Sequence, residues 1–447
     1  MSDESKLLNP SNPPTSPGKL TRRQFGEKIA AGAAAAAGLM IIKPELVRGT
    51  AANSQVRIGL LGCGGRGTHD ATVLSDSPSA RVVALADLFQ DQLDAAKSHF
   101  DQIAQQKGYA GIDSKRIFRG PDAFHQIANS KDVDAVVITT PPYFHTQHLA
   151  AVVEAGKHAY CEKPVAVDVN GAKRVIEIGK SAEGRLSLDV GFELRMAPPY
   201  VELTKRVSSG ALGRIACGEA YYYSTFINRP AWPNTSPDYV RLRNWIYDRT
   251  LSGDIVVEQN IHVIDMFNWM LNARPLKATA TGGRQVRTDS GNAYGHYNVT
   301  YYYPDDVTIN FGSTQFDKGW WDVAGRFFGS KGVSEWHYSG PVAIYGDEPW
   351  KWNESQNSSE GSGGKGQFSV TGAFTDNLAQ ADPQKLGGFI DSIVSGKFHN
   401  QAALGAESTL SAMLAREAAY LGRELSWDEL NGMDMTWDSG IDLKQFS

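Results

Sequence analysis

Two short segments of the sequence place ionisable side chains where a purely structural element would not need them. In residues 158–167 (HAYCEKPVAV), a strand rich in Val, Ala and Tyr runs directly into Glu162 and Lys163. Pro164 then ends the strand, because proline has no N–H to donate to a neighbouring strand. Lys163 can therefore point its ammonium group into a cleft and stabilise negative charge there. A solvated lysine at a strand end is the alternative.

The second segment, residues 253–271 (GDIVVEQNIHVIDMFNWML), is predicted to be the start of a helix. The spacing of Glu258, His262 and Asp265 at i, i+4 and i+7 puts the three side chains on one face. Among Val, Ile, Phe and Trp, such polar groups are costly to bury unless they pair or face a cleft. The spacing alone leaves three interpretations open: a core histidine clamped by two carboxylates, an acid/base site, or a metal site, although no ligand spacing demands a metal.

A strand, a glycine-rich turn and a helix nearer the start of the chain are predicted to begin the part of the fold that positions Lys163. A short apolar strand (VRIGLL) is followed by this turn and then by a helix-like stretch. Glycines allow a tight turn and let backbone N–H groups approach a pyrophosphate at the helix N-terminus. Arg66 lies among four such glycines, which are Gly62, Gly64, Gly65 and Gly67. This arrangement predicts a dinucleotide site, and a turn without a ligand is the alternative.

Asp87 ends the second predicted strand (ARVVALAD) and stands 20 residues after Gly67. This is the spacing expected of the acid that binds the adenosine ribose hydroxyls in dinucleotide domains. A carboxylate there would repel a 2′-phosphate, so NAD is favoured as the cofactor. NADP stays an alternative because Arg66 could partly offset that repulsion.

Strands and helices continue to alternate through the first half of the chain, which predicts a parallel sheet. The carboxyl ends of parallel strands line the ligand crevice of such a sheet. This places Thr140, Pro142 and His145 of one loop, together with Lys163 and Arg195, at the rim where a nicotinamide would lie. His145 could instead be a histidine at a helix start whose ring is satisfied by backbone groups.

After Gly213 the alternation gives way to long β-rich runs, with a hairpin predicted to turn at residues 304–306. Residues 383–397 and 405–422 are predicted to be helices, and residues 353–366 a mobile loop. An insertion at residues 228–250 is rich in aromatic residues and arginine. Its aromatic rings could stack on sugar faces while Arg243 donates hydrogen bonds, and the alternative is that they cover a subunit interface or a core edge. The aromatic residues meant are Trp232, Tyr239 and Trp245.

The first residues of the chain have the pattern of an export signal. Residues 21–25 (TRRQF) form a twin-arginine pattern, and the apolar stretch that follows, residues 29–42, is too short to span a bilayer comfortably. Small residues at 49–52 provide a cleavage region. We therefore predict residues 1–51 to be a twin-arginine signal peptide, with a periplasmic or otherwise exported mature protein and no stable membrane anchor. A basic disordered tail running into an alanine-rich helix is the alternative.

Composition narrows the classes of partner. The 447-residue chain has a formal net charge of −5, and its first 51 residues are net basic, so the remainder is more acidic than the whole. No long basic run follows, which argues against a nucleic-acid partner. The cysteine count of three is odd and implies no disulfide framework.

Ordered motifs along nearly the whole chain after residue 55 resemble the glucose–fructose oxidoreductase, inositol 2-dehydrogenase and MocA family. The segments that carry this resemblance are GCGGRG (62–67), TTPPYFH (139–145), AGKHAYCEKP (155–164), GFELRMAP (191–198), ALGRI (211–215), EQNIHVID (258–265), FGSKGVSEW (328–336) and GRELSWDE (422–429). The resemblance implies an α/β protein with an N-terminal Rossmann dinucleotide-binding domain at residues 52–192. It also implies an α+β domain at residues 193–447, with a large open, mostly antiparallel sheet and C-terminal helices that pack back on the first domain.

The resemblance also implies roles for the ionisable residues. Oxidation of a secondary alcohol sends hydride to a nicotinamide while a base takes the hydroxyl proton. His262 matches the catalytic acid/base histidine of relatives, Lys163 would stabilise the developing alkoxide, and Glu162 would face the nicotinamide ribose. Relatives commonly have aspartate at the position of Glu258, so its role within the catalytic group stays open. Asp265 is assigned to the substrate.

Three functions follow as hypotheses. The first is an NAD(P)-dependent oxidoreductase acting on a secondary alcohol of a sugar, glycoside or cyclic polyol. Because free NAD is scarce outside the cytoplasm, the second is an NAD-dependent glycosidase or epimerase that oxidises its substrate transiently without net redox change. The third is a non-catalytic protein that binds a dinucleotide and a carbohydrate. The resemblance further implies a homodimer or homotetramer formed through the open face of the second sheet.

Overall fold

The structure is a computed structural model that describes residues 55–353 and 376–447. The predicted signal peptide at residues 1–51 lies outside the described residues, as does the predicted loop at residues 353–366 apart from its first residue. Within the described residues the chain forms a six-stranded sheet and a nine-stranded sheet.

The elements have the following bounds. The strands are β1 (Val56–Leu61), β2 (Ala80–Asp87), β3 (Ile117–Arg119), β4 (Ala135–Ile138), β5 (His158–Cys161), β6 (Leu188–Val190), β7 (Ile215–Thr225), β8 (Lys277–Gly283), β9 (His296–Tyr302), β10 (Thr308–Asp317), β11 (Asp322–Gly329), β12 (Gly332–His337), β13 (Val342–Gly346), β14 (Trp350–Lys351) and β15 (Leu425–Ser426). The α-helices are α1 (Gly65–Asp76), α2 (Gln90–Gln106), α3 (Ala123–Ala128), α4 (His145–Glu154), α5 (Val169–Ala182), α6 (Pro198–Ser208), α7 (Pro237–Arg243), α8 (Arg249–Ser252), α9 (Ile255–Glu258), α10 (Ile261–Leu271), α11 (Ala381–Ser395), α12 (Ala402–Leu421) and α13 (Trp427–Gly432).

The six-stranded sheet is parallel throughout and has the order β3-β2-β1-β4-β5-β6. Its central strands β1 and β4 are short apolar runs that are almost completely buried, as expected where helices cover both faces of a parallel sheet. The order reverses direction between β1 and β4, and ligands of such sheets bind in the crevice at that point. The predicted Rossmann-type arrangement is confirmed.

The nine-stranded sheet has the order β14-β13-β12-β11-β7-β10-β9-β8-β15 and is antiparallel except between β7 and β10. The hairpin predicted to turn at residues 304–306 joins β9 to β10 and is confirmed. Buried and accessible residues alternate along β9 and β12, which is typical of a sheet with one covered face. Helix α10 packs against β7 and β11, and α12 packs against β8.

The segment that carries Glu258 and His262 is two helices and not the single helix that its spacing predicts. Helix α9 ends at Glu258, and α10 begins at Ile261. The carbonyl of Ile255 accepts hydrogen bonds from the N–H groups of both Gln259 and Asn260, at 2.9 and 3.0 Å. This wider turn interrupts the regular ladder. A single regular helix therefore does not run from Glu258 to Asp265.

The two predicted helices near the end of the sequence are present as α11 and α12. Helix α11 packs against α1, and α12 packs against α5 as well as against α10. Both thus contact elements that border the crevice of the parallel sheet. No helix in the described part of the chain is long and apolar enough to cross a membrane.

Candidate functional site

A cavity of about 570 Å³ extends from the glycine-rich turn after β1 to the start of α10. Its walls come from the carboxyl ends of the parallel strands, from the residues that follow β7, and from α9 and α10. The predicted residues that line it are Gly62, Gly64, Gly65, Arg66, Asp87, Thr140, Pro142, His145, Glu162, Lys163, Arg243, Trp245, Glu258 and His262.

The glycine-rich turn forms an open cradle at one end of the cavity. Gly62 has a φ of +96°, a conformation that L side chains rarely adopt. A Cβ atom on Gly67 would lie 2.1 Å from the carbonyl oxygen of Gly62, so only glycine lets α1 approach the turn this closely. A Cβ atom on Gly64 or Gly65 would instead enter open space. The turn therefore fits a pyrophosphate that fills this space against the N-terminus of α1.

Asp87 lies beside this cradle and is held by the backbone. Its carboxylate accepts hydrogen bonds from the N–H groups of Cys63 at 2.7 Å and Phe89 at 2.9 Å. Burial raises the pKa of Asp87, and the two N–H donors act in the opposite direction. The carboxylate is thereby fixed at the end of β2, where it can accept hydrogen bonds from ribose hydroxyls.

The insertion residues that were assigned to the substrate divide between two places. The guanidinium of Arg243 stacks 3.8 Å from the ring centroid of Phe89 and forms an ion pair with Asp91. Trp232 and Tyr239 surround this guanidinium and lie outside the cavity lining. Arg243 and both rings thus lie at the Asp87 end of the cavity. The fourth insertion residue, Trp245, also lines the cavity, on the side nearer to α9.

Residues 443–446 complete this end of the cavity. The ring of Phe446 lies 5.9 Å from that of Phe89, and Leu443 lines the cavity itself. Gln445 donates a 3.0 Å hydrogen bond to Asp238 in α7. We call α7 together with residues 443–446 the adenosine clasp. Sequence reasoning missed residues 443–446, because nothing in their types distinguishes them from a surface segment.

Lys163 lies at the other end of the cavity. Its ammonium group donates hydrogen bonds to the backbone carbonyl of Glu258 at 2.6 Å and to the Glu258 carboxylate at 3.2 Å. Both side chains are largely buried. The Glu258 carbonyl can accept a hydrogen bond from Lys163 because the break after α9 leaves it outside the regular hydrogen-bond ladder of a helix. Glu258 therefore fixes where the ammonium group lies.

His262 follows on the first turn of α10. Its Nδ1 atom is buried and has no hydrogen-bond partner within residues 55–353 and 376–447. Burial lowers the pKa of His262 well below its ordinary value, and the positive charges of Lys163, Arg66 and Lys385 lower it further. The imidazole is neutral at neutral pH and can accept a proton.

A buried ionic network supports the wall behind Lys163. Arg66 contacts Glu193 at 2.5 Å and Asp382 at 3.1 Å, while Lys385 contacts Asp382 at 2.8 Å and Glu162 at 3.3 Å. Burial alone would raise the pKa of Glu162, but Lys385, Arg66 and Lys163 hold it below its usual value. The Glu162 carboxylate thus remains ionised between Lys385 and the backbone N–H of Lys163.

Arg195 and Asp265 also lie away from the cavity lining. Arg195 donates to the Asp265 carboxylate at 2.7 and 3.0 Å, and Ser408 donates to it at 2.6 Å. Asp265 is fully buried in this pairing. Asp265 is taken up by this pairing while Glu258 and His262 line the cavity, so the three residues are not brought together as a set of metal ligands.

The ring of His145 is held by backbone groups in the cavity wall. Its Nδ1 and Nε2 atoms lie 2.7 Å from the carbonyl oxygens of Pro164 and Thr140 respectively. Burial lowers the pKa of His145. This matches the alternative of a helix-start histidine satisfied by the backbone. The Thr140 hydroxyl contacts His148 and not the open part of the cavity.

Sequence reasoning also missed individual cavity residues. Tyr222, Arg229, Gln259 and Tyr338 all line the cavity, although Arg229 lies in the insertion at residues 228–250 and Gln259 in the segment at residues 258–265. The hydroxyl of Tyr338 is buried and has no hydrogen-bond partner in the described part of the chain. An alternating β-strand pattern could have placed Tyr222 on the covered face of β7, but nothing local identifies the others.

Comparisons with known proteins agree with this architecture. Residues 56–190 match the family model described as an oxidoreductase family with an NAD-binding Rossmann fold, and residues 200–335 match the GFO/IDH/MocA C-terminal domain. The parallel sheet and its glycine cradle therefore belong to an NAD-binding domain.

Among curated proteins, the chain is 30% identical over 246 residues to an inositol 2-dehydrogenase of Rhizobium meliloti (strain 1021). This match covers 55% of the chain and 64% of that protein, so the chain spans less than two thirds of the relative's length.

Solved structures share the fold. An apo scyllo-inositol dehydrogenase from Lactobacillus casei superposes with a TM-score of 0.62 at 19% identity, covering 84% of this chain and 99% of that one. A levoglucosan dehydrogenase in complex with NADH and levoglucosan gives a TM-score of 0.64 at 17% identity, covering 83% and 99%.

Proposed function

The chain belongs to the GFO/IDH/MocA oxidoreductase family, and on this premise we propose that it is an NAD-dependent dehydrogenase that oxidises a secondary alcohol of a sugar, glycoside or cyclic polyol. The observation that carries this proposal is the convergence of Lys163 and neutral His262 at one end of a cavity whose other end is the dinucleotide cradle. A base and a cation next to a nicotinamide site are the groups that alcohol oxidation requires.

Each residue at this end then has a defined task. Bound NAD would supply the hydride acceptor. His262, which lines the cavity, takes the proton of the substrate hydroxyl. Lys163 donates a hydrogen bond to the same oxygen and stabilises its developing negative charge, and Glu258 keeps the ammonium group in place. We assign Tyr338, which also lines the cavity, to a contact with the bound substrate.

The direct test is to incubate the purified protein with NAD and a panel of hexoses, glycosides and inositols. Oxidation produces NADH, which is measured by its near-ultraviolet absorbance. The matched control is the Lys163→Met variant, which should bind NAD and produce far less NADH. A panel on which the wild-type protein and this variant behave alike would contradict the proposal.

A redox-neutral reaction is the second candidate, and the adenosine clasp favours it. A cofactor covered by α7 and residues 443–446 would leave slowly, so the same NAD could be reduced and reoxidised on one substrate. In that case product would form without net NADH. The hydrogen on the carbon next to the oxidised centre would also exchange with solvent deuterium.

We also propose that the protein is exported through the twin-arginine pathway. The support is the residue pattern at positions 21–52, which lies outside the described residues. Replacing Arg22 and Arg23 with lysine should leave the folded protein in the cytoplasm, as measured by fractionation. Export of this double variant at the normal rate would contradict the proposal.

The exposed face of the nine-stranded sheet supports our proposal of a homodimer or homotetramer. Tyr221 and Tyr223 stack on this face with their ring centroids 4.9 Å apart, next to Trp320, which is 56% exposed. Exposed aromatic patches of this kind are typical of protein interfaces. We expect light scattering to show an assembly that Tyr223→Glu dissociates. A monomeric wild-type protein would contradict this.

A further inference from the structure

One arginine of the insertion enters the cavity without a partner. Arg229 follows β7 and lines the cavity near Glu258 and Trp245. Its guanidinium lies 6.0 Å from the Trp245 ring and makes no hydrogen bond or ion pair with the residues that the structure describes. The other cationic side chains of the cavity lining, Arg66, Lys163 and Arg243, each contact a carboxylate.

Arg229 is exposed and lies in the wall of the cavity. Surrounding protein lowers its pKa through desolvation, an effect that the negative charge of Glu258 partly offsets. Its donors are therefore free to bind an acceptor on a ligand in the cavity.

The carboxylates at this end of the cavity already have cationic partners. Glu258 contacts Lys163, while Glu162 and Glu193 contact Lys385 and Arg66. His262 is neutral because burial lowers its pKa. Arg229 is therefore the lining cation without a carboxylate in contact among the residues that the structure describes.

We infer that the substrate is a sugar acid whose carboxylate binds Arg229. A guanidinium forms a planar fork that matches a carboxylate with two parallel hydrogen bonds. A carboxylate carries a single negative charge, which matches the single charge of Arg229, whereas a phosphate monoester carries about −1.5 to −2. This inference rests on the proposed dehydrogenase function and specifies its substrate class.

The experiment compares sugars that differ only in one group. Glucuronate and galacturonate are paired with glucose and galactose, gluconate is paired with glucitol, and glucose 6-phosphate is added as a dianion. Binding to the NADH-loaded protein is measured by calorimetry, and NADH production from NAD is measured separately. The proteins are the wild type, Arg229→Gln, Arg229→Lys, and Arg214→Gln as a control on an exposed arginine outside the cavity.

We expect the wild-type protein to bind the carboxylate member of at least one pair about ten- to a hundredfold more tightly, the value of a charge-assisted hydrogen bond. Arg229→Gln should remove this preference, Arg229→Lys should restore part of it, and Arg214→Gln should keep it. NAD affinity should be unchanged in all of them. A loss of NAD affinity in Arg229→Gln would assign Arg229 to the dinucleotide and overturn the inference.

The outcomes separate the inference from the proposed function. Oxidation of neutral sugars without any carboxylate preference would overturn the inference and leave the dehydrogenase function standing. Arg229-dependent binding of carboxylates without NADH production would keep the inference and contradict the function. Preference for the phosphate would contradict the assigned charge, and a panel in which nothing binds or reacts would contradict both.

Discussion

Lys163 and His262 act on one oxygen in the proposed reaction, and their contacts make this testable. We predict that Lys163→Met and His262→Asn each slow turnover by about two to four orders of magnitude, the range for a lost charge-stabilising or proton-transfer group. NAD affinity and the fold should be nearly intact. The double variant should lose less than the product of the single losses, because both residues serve the same step. Near wild-type turnover in both single variants would show that the catalytic assignment is wrong.

The pKa of His262 gives a second test at the residue scale. Only the neutral imidazole accepts a proton, so kcat/KM should fall as the pH drops through the pKa of His262. Burial and the charge of Lys163 lower this pKa, and the acid limb should therefore lie below the ordinary histidine range. Lys163→Met removes one of these charges, and we predict that the acid limb of its residual activity moves to higher pH. A shift to lower pH would contradict this geometry.

Sequence patterns predicted some site residues and not others, for identifiable reasons. Glycines at a turn and a lysine before proline have local signatures, so Gly62 and Lys163 could be placed in advance. Asp265 could not, because its buried pairing with Arg195 and Ser408 is formed by residues 70 and 143 positions away in the sequence. Lys385 pairs with Glu162 across 223 residues of sequence, and such a pairing depends on tertiary structure alone.

At the scale of elements, the adenosine clasp should control how long the dinucleotide stays bound. We predict that Leu443→Ala combined with Phe446→Ala raises the NAD dissociation constant and dissociation rate by roughly tenfold, since Leu443 lines the cavity and each aromatic contact of Phe446 contributes about 0.5–1.5 kcal/mol. Turnover at saturating NAD should be unchanged. Release is measured by the loss of bound NAD during gel filtration.

Lys444→Ala is the matched control, because Lys444 lies between these two residues and is exposed. The clasp assignment would be contradicted if the double variant retained NAD as long as the control does.

Both the strand pattern and the Asp87 position predicted the cradle, but the clasp joins segments more than 150 residues apart along the chain. No period or motif encodes that contact.

At the scale of the whole molecule, the network of Arg66, Glu162, Asp382 and Lys385 ties α11 to the crevice of the parallel sheet. We predict that Lys385→Met lowers the free energy of unfolding by about 3–5 kcal/mol, because it removes the buried cation that two buried carboxylates share. Lys180→Met is the control, since the Lys180 ion pair is exposed and contributes little. Equal denaturant midpoints for both variants would contradict the network's role.

The same network makes stability depend on pH. Burial alone would raise the pKa of Asp382, but Lys385, Arg66 and His69 hold it well below its usual value. A carboxyl with a lowered folded-state pKa contributes stability above its unfolded pKa, and this contribution is lost as the pH falls. The acid-induced loss of stability should therefore be smaller in Lys385→Met than in the wild-type protein.

The adenosine clasp also makes the cofactor a thermodynamic ligand of folding. The clasp comes from α7 and residues 443–446, which both contact Phe89 after β2, so an unfolded chain offers NAD no comparable surface. A ligand that binds only the folded state stabilises it by about 2.7 kcal/mol at a concentration 100 times its dissociation constant. A chain that acquires NAD before it enters a compartment poor in NAD would carry this stabilisation with it for as long as the clasp stays closed. Its resistance to proteolysis there would depend on the rate of cofactor loss rather than on the local NAD concentration.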